Sequence, residues 1–144
     1  MARTLPWVKV IPTQKPRRLV PTDLLRILIT DEERALLFSL SNYLTFRGCL
    51  VDCVERIDDA RALVRHLHYD VVVVGFAEGC DPAQASSLTD DIRALQLGMR
   101  VVALAPEQQI LDGQTASSLN VDRVVGRHLP LDQLAWCVCS AVAA

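Results

Sequence analysis

The chain has 144 residues, of which 51% are hydrophobic and 22% charged, a composition typical of one globular domain with one core. Its formal net charge of -2 at pH 7 gives no support for a nucleic-acid-binding domain. No apolar run reaches the roughly 18 residues that a membrane-spanning helix needs. We therefore expect a cytoplasmic protein that binds neither nucleic acid nor membrane.

The first 23 residues differ in character from the rest. They contain four prolines at short intervals, and Trp7 lies in the apolar stretch PWVKVIP, which precedes the basic stretch QKPRR. Because such prolines disfavour a helix or a central strand, we predict an extended or mobile arm over residues 1–23 and a folded domain over residues 24–144. The arm is either a docking segment for a protein surface or a disordered leader.

From Leu24 onward, short apolar runs alternate with segments of helical periodicity. The predicted strands are LLRILIT, CLVDCVE, DVVVVGF, MRVVALA and DRVVG. The predicted helices are DEERALLFSLSNYLTFRG, IDDARALVRHL, a third from Asp81–Pro82 to Leu95, a weak one over residues 107–119, and a last one from Pro130 onward. Strands that are apolar on both faces need helices on both sides, so we predict a (βα)5 flavodoxin-like, doubly wound α/β fold with a parallel five-stranded sheet of order 2-1-3-4-5.

The first strand ends in an acidic cluster, Asp31, Glu32 and Glu33. In a doubly wound sheet, ligands bind outside the carboxyl ends of the strands, and paired carboxylates are ligands that Mg²⁺ prefers. A helix dipole also favours acidic residues in a first helical turn. The cluster alone leaves both interpretations open.

The stretch RILITDEER, the helix that ends in RG, the second strand and the stretch YDVVVVG resemble the receiver domain of bacterial two-component response regulators. The resemblance extends from the first strand to the C-terminus, and Asp31 and Glu32 match the acidic pair that binds Mg²⁺ in that family. Gly75 stands where the resemblance places the phospho-accepting aspartate. Ala105 replaces the Ser or Thr at the end of strand four, and Arg127 replaces the lysine at the end of strand five.

The resemblance therefore implies a receiver-like domain that lacks the residues for phosphorylation. Phosphoryl transfer needs an oxygen nucleophile and a metal ion, and Gly75 offers neither the nucleophile nor a carboxylate ligand. Asp31 and Glu32 alone would leave at most a weak residual Mg²⁺ site, so we expect no cofactor and no catalytic residue. We expect Arg127 to pair with Asp31 or Glu32. Val124 stands where the family often has a rotating aromatic residue.

Two functions are consistent with these substitutions. The first is a pseudo-receiver, an interaction module of bacterial signal transduction that is neither phosphorylated nor an enzyme, with another signalling protein or a second copy of itself as its partner. The second is an atypical receiver or sensor that binds a small ligand or anion near Arg127, in a crevice where Gly75 and Ala105 leave space.

The last helix offers a candidate interaction surface. Its predicted sheet-facing residues are Leu131, Leu134, Ala135, Val138, Ala141 and Val142. The opposite face carries Trp136, Ser140 and Ala143 and is nearly uncharged, which is typical of an interface. Receiver domains commonly use this region for dimerisation, so the resemblance implies the same surface. A Trp136 covered by the arm, or exposed without function, is the alternative.

The five cysteines are an odd number without C-x-x-C spacing, and we expect them to be reduced. Cys49 and Cys53 point to the same face of strand two, where a buried thiol commonly acts as a small apolar residue. No thiolate-stabilising neighbour is evident in the sequence, so a redox role has little support.

Overall fold

The structure, a computed structural model, describes residues 24–76, 82–95, 98–106 and 121–143. Within these ranges it contains five strands and four helices. They are β1 (Arg26–Thr30), α1 (Arg34–Phe46), β2 (Leu50–Val54), α2 (Ile57–His66), β3 (Val71–Gly75), α3 (Pro82–Leu95), β4 (Arg100–Ala105), β5 (Arg123–Gly126) and α4 (Leu131–Ala143). The predicted arm over residues 1–23 and the predicted helix over residues 107–119 lie outside the described residues.

The strands form one parallel sheet in the order β2-β1-β3-β4-β5, which confirms the predicted fold class. The four consecutive valines of β3, Val71 to Val74, are completely buried. They can all be apolar because β3 is hydrogen-bonded to β1 and β4 on its two sides while helices cover both faces of the sheet. Among the described helices, none is long and apolar enough to cross a membrane.

Two apolar layers hold the helices against the sheet. Helices α2 and α3 cover one face, with Leu63 and Ile92 among the completely buried side chains. Helices α1 and α4 cover the other face, with Leu40 and Val138 buried to the same extent. Full burial of each such side chain contributes roughly 1.5–3 kcal/mol, so the helical positions are fixed mainly by this packing.

The turn after α1 brings the chain directly back into the sheet. Gly48 has a φ of 100°, a left-handed conformation that glycine adopts without steric strain, and its N–H donates to the carbonyl of Thr45. Leu50 then donates to the carbonyl of Leu25 to begin the pairing of β2 with β1. As a result, Arg47 and Cys49 flank one tight turn at the end of α1.

Asp122 anchors the start of β5 to β4. Its N–H donates to the carbonyl of Val101 (2.9 Å), while its Oδ2 accepts hydrogen bonds from the N–H of Val101 (2.7 Å) and from Nη2 of Arg93 (2.8 Å). Burial alone would raise the pKa of Asp122. The hydrogen bonds from Val101 and Arg93, with the charges of Arg93 and Arg100, outweigh burial and lower the pKa below its ordinary value of 3.8.

A carboxyl group with a lowered pKa stabilises the fold above its ordinary pKa, and this contribution is lost as the pH falls through the folded-state pKa. Asp122→Asn keeps an acceptor for Val101 but loses the charge. We expect it to be less stable than wild type at pH 7, and we expect the difference to disappear well below pH 3.8. Asp122→Ala leaves the N–H of Val101 unpaired and should lose about 1–2 kcal/mol at both pH values. Urea unfolding at pH 7 and at a pH well below 3.8 measures these free energies. A loss of stability in Asp122→Asn that is equal at the two pH values would contradict this prediction.

Candidate functional site

The ends of β1, β3, β4 and β5 lie together at the carboxyl edge of the sheet. Thr30 pairs with Val74 and Ala105 pairs with Gly126, so the residues that follow these strands lie at the same edge. Two of them, Asp31 after β1 and Arg127 after β5, are charged, yet they are only 2% and 4% exposed. Charged side chains are almost never buried to this degree unless they are paired.

Asp31 and Arg127 form a buried ion pair. Nη2 of Arg127 lies 3.0 Å from Oδ1 of Asp31, and the same oxygen accepts a hydrogen bond from the N–H of Glu33 at 2.8 Å. Nη1 of Arg127 donates to the carbonyl of Phe76, just after β3. The guanidinium therefore connects the ends of β5, β1 and β3. Of the two partners considered from the sequence, the structure brings Asp31 to Arg127, and it adds Glu33 at 3.5 Å.

The carboxylate of Asp31 also lies against the backbone of Gly75. A Cβ atom added to Gly75 would overlap Oδ2 of Asp31 and would lie only 2.5 Å from its Cγ. This oxygen is buried and has no hydrogen-bond partner among the described residues. Asp31 therefore occupies the space that a side chain at position 75 would take, and the free space expected beside Gly75 is not there.

The other positions matched to the receiver family are packed or exposed rather than arranged around a crevice. Ala105 is completely buried in the apolar layer under α2 and α3, and Val124 is partly buried against the same layer. Glu32 is exposed at the surface. The space expected at Ala105 is therefore taken up by core packing.

The Mg²⁺ site that the resemblance implies does not fit these residues. A guanidinium cation lies 3.0 Å from Oδ1 of Asp31 and would repel a divalent cation there, and Gly75 contributes no carboxylate. Within the described ranges, no three His, Cys, Asp or Glu side chains are grouped in a way that would hold a metal ion.

The packing of α4 agrees with the helical pattern in the sequence. Four of the predicted sheet-facing residues are buried and two are partly buried: Leu134, Ala135, Val138 and Ala141, then Leu131 and Val142. Trp136 is 69% exposed. Ser140, expected on the same outer face, is half-buried, and its Oγ accepts a hydrogen bond from Nη1 of Arg123 at 2.7 Å, so it faces β5 instead. The side chain of Ala143 and all of Trp7 lie outside the described residues.

A groove beside Trp136 was not predicted from the sequence. It has a volume of about 590 Å³ and lies between the end of α1, represented by Arg47, and one side of α4. Its lining on α4 consists of Asp132, Gln133, Ala135, Trp136, Cys137 and Cys139. Phe46, next to Arg47 in the chain, is 82% exposed. Only the packing of α1 against α4 brings these residues together.

The comparison with known proteins agrees with the fold. No family model and no curated protein sequence matches the chain. Solved structures with a similar fold include a response regulator receiver protein from Sinorhizobium medicae (TM-score 0.69, 22% identity, covering 85% of this chain and 98% of that one). Another is the response regulator TrrA from Thermotoga maritima in complex with Mg²⁺ and BeF (TM-score 0.66, 19% identity, covering 81% and 98%). A third is described as adenylate cyclase from Rhodopirellula baltica (TM-score 0.68, 18% identity, covering 82% and 87%).

These likenesses establish the class of fold. The chain has the receiver fold of response regulators, with five parallel strands in the order 2-1-3-4-5.

The overlap between Asp31 and a side chain at position 75 makes a direct prediction. Gly75→Ala should lower the free energy of unfolding by about 1–3 kcal/mol, because the Asp31 carboxylate is fixed by Arg127 and Glu33 and yields poorly to an added methyl group. Gly98→Ala is the matched control, since a Cβ there meets nothing within 4 Å. We expect it to change stability by no more than about 0.5 kcal/mol. Equal effects of the two substitutions in urea unfolding would show that Asp31 does not fill this space.

Proposed function

We propose that the chain is a pseudo-receiver, a module of bacterial two-component signalling in the cytoplasm that acts by binding protein and is neither phosphorylated nor an enzyme. The observation that carries this proposal is the position of Asp31, which lies over Gly75 and is paired with Arg127. The structure from Thermotoga maritima is described with Mg²⁺ and BeF, whereas in the present chain a guanidinium stands beside the first-strand carboxylate.

Two physical requirements of phosphoryl transfer argue for this reading. An oxygen nucleophile must be in line with the donor, and cations must neutralise the equatorial oxygens of the transferred group. Gly75 provides no nucleophile, and Oδ1 of Asp31 is already engaged by Arg127 and by the N–H of Glu33. Entry of a phosphoryl group would require the buried ion pair to separate, and leaving one such charge unpaired costs about 3–5 kcal/mol.

The test is incubation of the chain with acetyl phosphate or phosphoramidate and Mg²⁺, followed by intact-protein mass spectrometry. We expect no added phosphoryl mass, while a receiver domain with the usual aspartate, treated in parallel, gains it. A stable gain on this chain would refute the proposal wherever the group is attached, including Glu78 and Asp81, which lie outside the described residues. A thermal shift with inorganic phosphate is the companion measurement, and an unchanged midpoint argues against an anion sensor.

The proposed binding surface is the outer side of α4 around Trp136. Trp136 is 69% exposed and Phe46 is 82% exposed, and aromatic side chains of this kind are enriched at protein interfaces. The groove beside them carries one charge of each sign, Arg47 and Asp132. In a twofold contact between identical chains every contact occurs twice, so a pairing of Arg47 with Asp132 of the second copy would form two ion pairs across the interface. A second copy of the chain is therefore the partner that this surface suits best.

Truncation of Trp136 tests this surface. Trp136→Ala should weaken self-association by about 2 kcal/mol or more, roughly a thirtyfold rise in the dissociation constant, because a buried tryptophan anchor carries much of an interface's energy. Sedimentation equilibrium measures it, with far-UV circular dichroism to show that the fold is intact. Leu95→Ala is the matched control, since Leu95 is 49% exposed at the end of α3, a helix on the opposite face of the sheet. We expect this variant to self-associate with the same dissociation constant as the wild-type chain.

Two outcomes would contradict the proposed surface. If the wild-type chain remains monomeric at high concentration, a second copy is not the partner. If Trp136→Ala associates like wild type while Leu95→Ala does not, the interface lies on the α3 side. Asp132→Arg gives an independent check, because it should weaken association and an equimolar mixture with Arg47→Asp should restore it.

A further inference from the structure

Two cysteines from distant parts of the chain meet where α4 packs against the end of α1. Cys49 follows the Gly48 turn and is only 5% exposed, whereas Cys139 lies on α4 and is partly exposed. Their thiols hydrogen-bond to each other, and the charge of Arg47 acts on both of them. Both cysteines belong to the apolar layer on the α1 and α4 side of the sheet.

The environment of Cys139 favours the thiolate form. The hydrogen bond from Cys49 lowers the pKa of Cys139 most, burial opposes this, and the positive charge of Arg47 lowers it further, to about 7 from an ordinary value of 9.0. The hydrogen bond with Cys139 and burial raise the pKa of Cys49. Near neutral pH a substantial fraction of Cys139 is therefore thiolate, while Cys49 stays protonated and donates to it.

Cys139 is also accessible to a small molecule. It lines the groove of about 590 Å³ together with Arg47 and Trp136, whereas Cys49 is not part of the groove's lining. A reagent that enters the groove meets the positive charge of Arg47 and the aromatic side chain of Trp136 on its way to the sulfur.

We infer that Cys139 is a site of thiol modification by low-molecular-weight disulfides, and that Cys49 resolves the modified form into a Cys49–Cys139 disulfide. The inference rests on the contact between the two thiols, on Arg47 and on the groove. It does not depend on the proposed pseudo-receiver function or on self-association.

The reaction consists of two thiol–disulfide exchanges. The thiolate of Cys139 attacks one sulfur of a disulfide R–S–S–R; a Cys139–S–S–R bond forms, the R–S–S–R bond breaks, and RS⁻ leaves with the electron pair. Cys49 then loses its proton to solvent and its sulfur attacks Sγ of Cys139, which expels the second RS⁻. The two cysteines are oxidised by two electrons, R–S–S–R is reduced, and both released thiolates take up protons to give two R–SH.

The first exchange prepares the second. While Cys139 is a thiolate, its negative charge and its hydrogen bond keep the proton on Cys49. Once Cys139 carries the added thiol, both of these influences are gone; burial still raises the pKa of Cys49, and the positive charge of Arg47 still lowers it. Cys49 therefore loses its proton more readily after its neighbour has been modified than before. The resulting disulfide links the start of β2 covalently to α4.

The experiment treats the reduced full chain, dilute enough to be monomeric, with oxidised glutathione at pH 7, and quenches samples with acid for intact mass and peptide mapping. We expect one glutathione to appear first, on Cys139, about fivefold faster than on an unstructured cysteine peptide, because the lower pKa raises the thiolate fraction more than it lowers nucleophilicity. The final product should lack two hydrogens and contain the Cys49–Cys139 disulfide. Its thermal midpoint should be higher than that of the reduced chain.

Variants separate the two steps. Cys49→Ser should accumulate the mixed disulfide on Cys139, Cys139→Ser should abolish fast modification, and Arg47→Met should slow it several-fold. Cys137→Ser is the matched control, because Cys137 lines the same groove, and it should react like wild type. The inference is overturned if peptide mapping of the wild-type chain, which needs no variant, places the first glutathione on another cysteine. It is likewise overturned if Cys49→Ser does not retain the mixed disulfide.

Discussion

Asp31 and Arg127 carry opposite charges and are both buried at the carboxyl edge of the sheet. Their pairing determines the positions of the groups around them. Moving an ion out of water costs several kcal/mol even after the protein relaxes, so Asp31 and Arg127 are tolerable there only with close contacts. The 3.0 Å ion pair, the N–H of Glu33 and the carbonyl of Phe76 provide these contacts. These contacts come from the ends of β1, β3 and β5. The ion pair therefore connects strands that are not all neighbours in the sheet.

The ion pair also shows how protein side chains hold the carboxyl edge of this fold together. In the resemblance to receiver domains, a metal ion balances carboxylates at this edge and a lysine stands at the end of strand five. Here the guanidinium of Arg127 is a fixed internal cation that pairs with the buried carboxylate of Asp31, while Ala105 and Val124 are packed into the apolar layer. The charge of Asp31 is thereby balanced by a protein side chain, and the sheet has the strand order of its structural neighbours.

The sequence was sufficient to predict the sheet order, the exposure of Trp136 and a pairing of Arg127 with a strand-one acid, because these depend on apolar periodicity and on parallel strands ending at one edge. It was insufficient for features that depend on side-chain direction between distant elements. The filling of the Gly75 space follows from the rotamer of Asp31. Ser140 shares a helical face with Trp136 by spacing, yet the long side chain of Arg123 reaches it from β5. Cys49 and Cys139 meet only because α4 packs on the same face of the sheet as the start of β2.

The close approach of Asp31 to Gly75 has a consequence for the evolution of this chain. One base change converts two of the four glycine codons into aspartate codons, so a single mutation can place an aspartate at position 75 when either of these codons is used. The structure opposes this change, because the carboxyl group of an aspartate at position 75 and that of Asp31 would occupy the same volume beside the single guanidinium of Arg127. A lineage would first have to alter Arg127 or move Asp31, and each of those steps disrupts the buried pair before any benefit of the new aspartate can be selected. The order of substitutions, more than their number, therefore determines whether the fold can accommodate an aspartate at position 75.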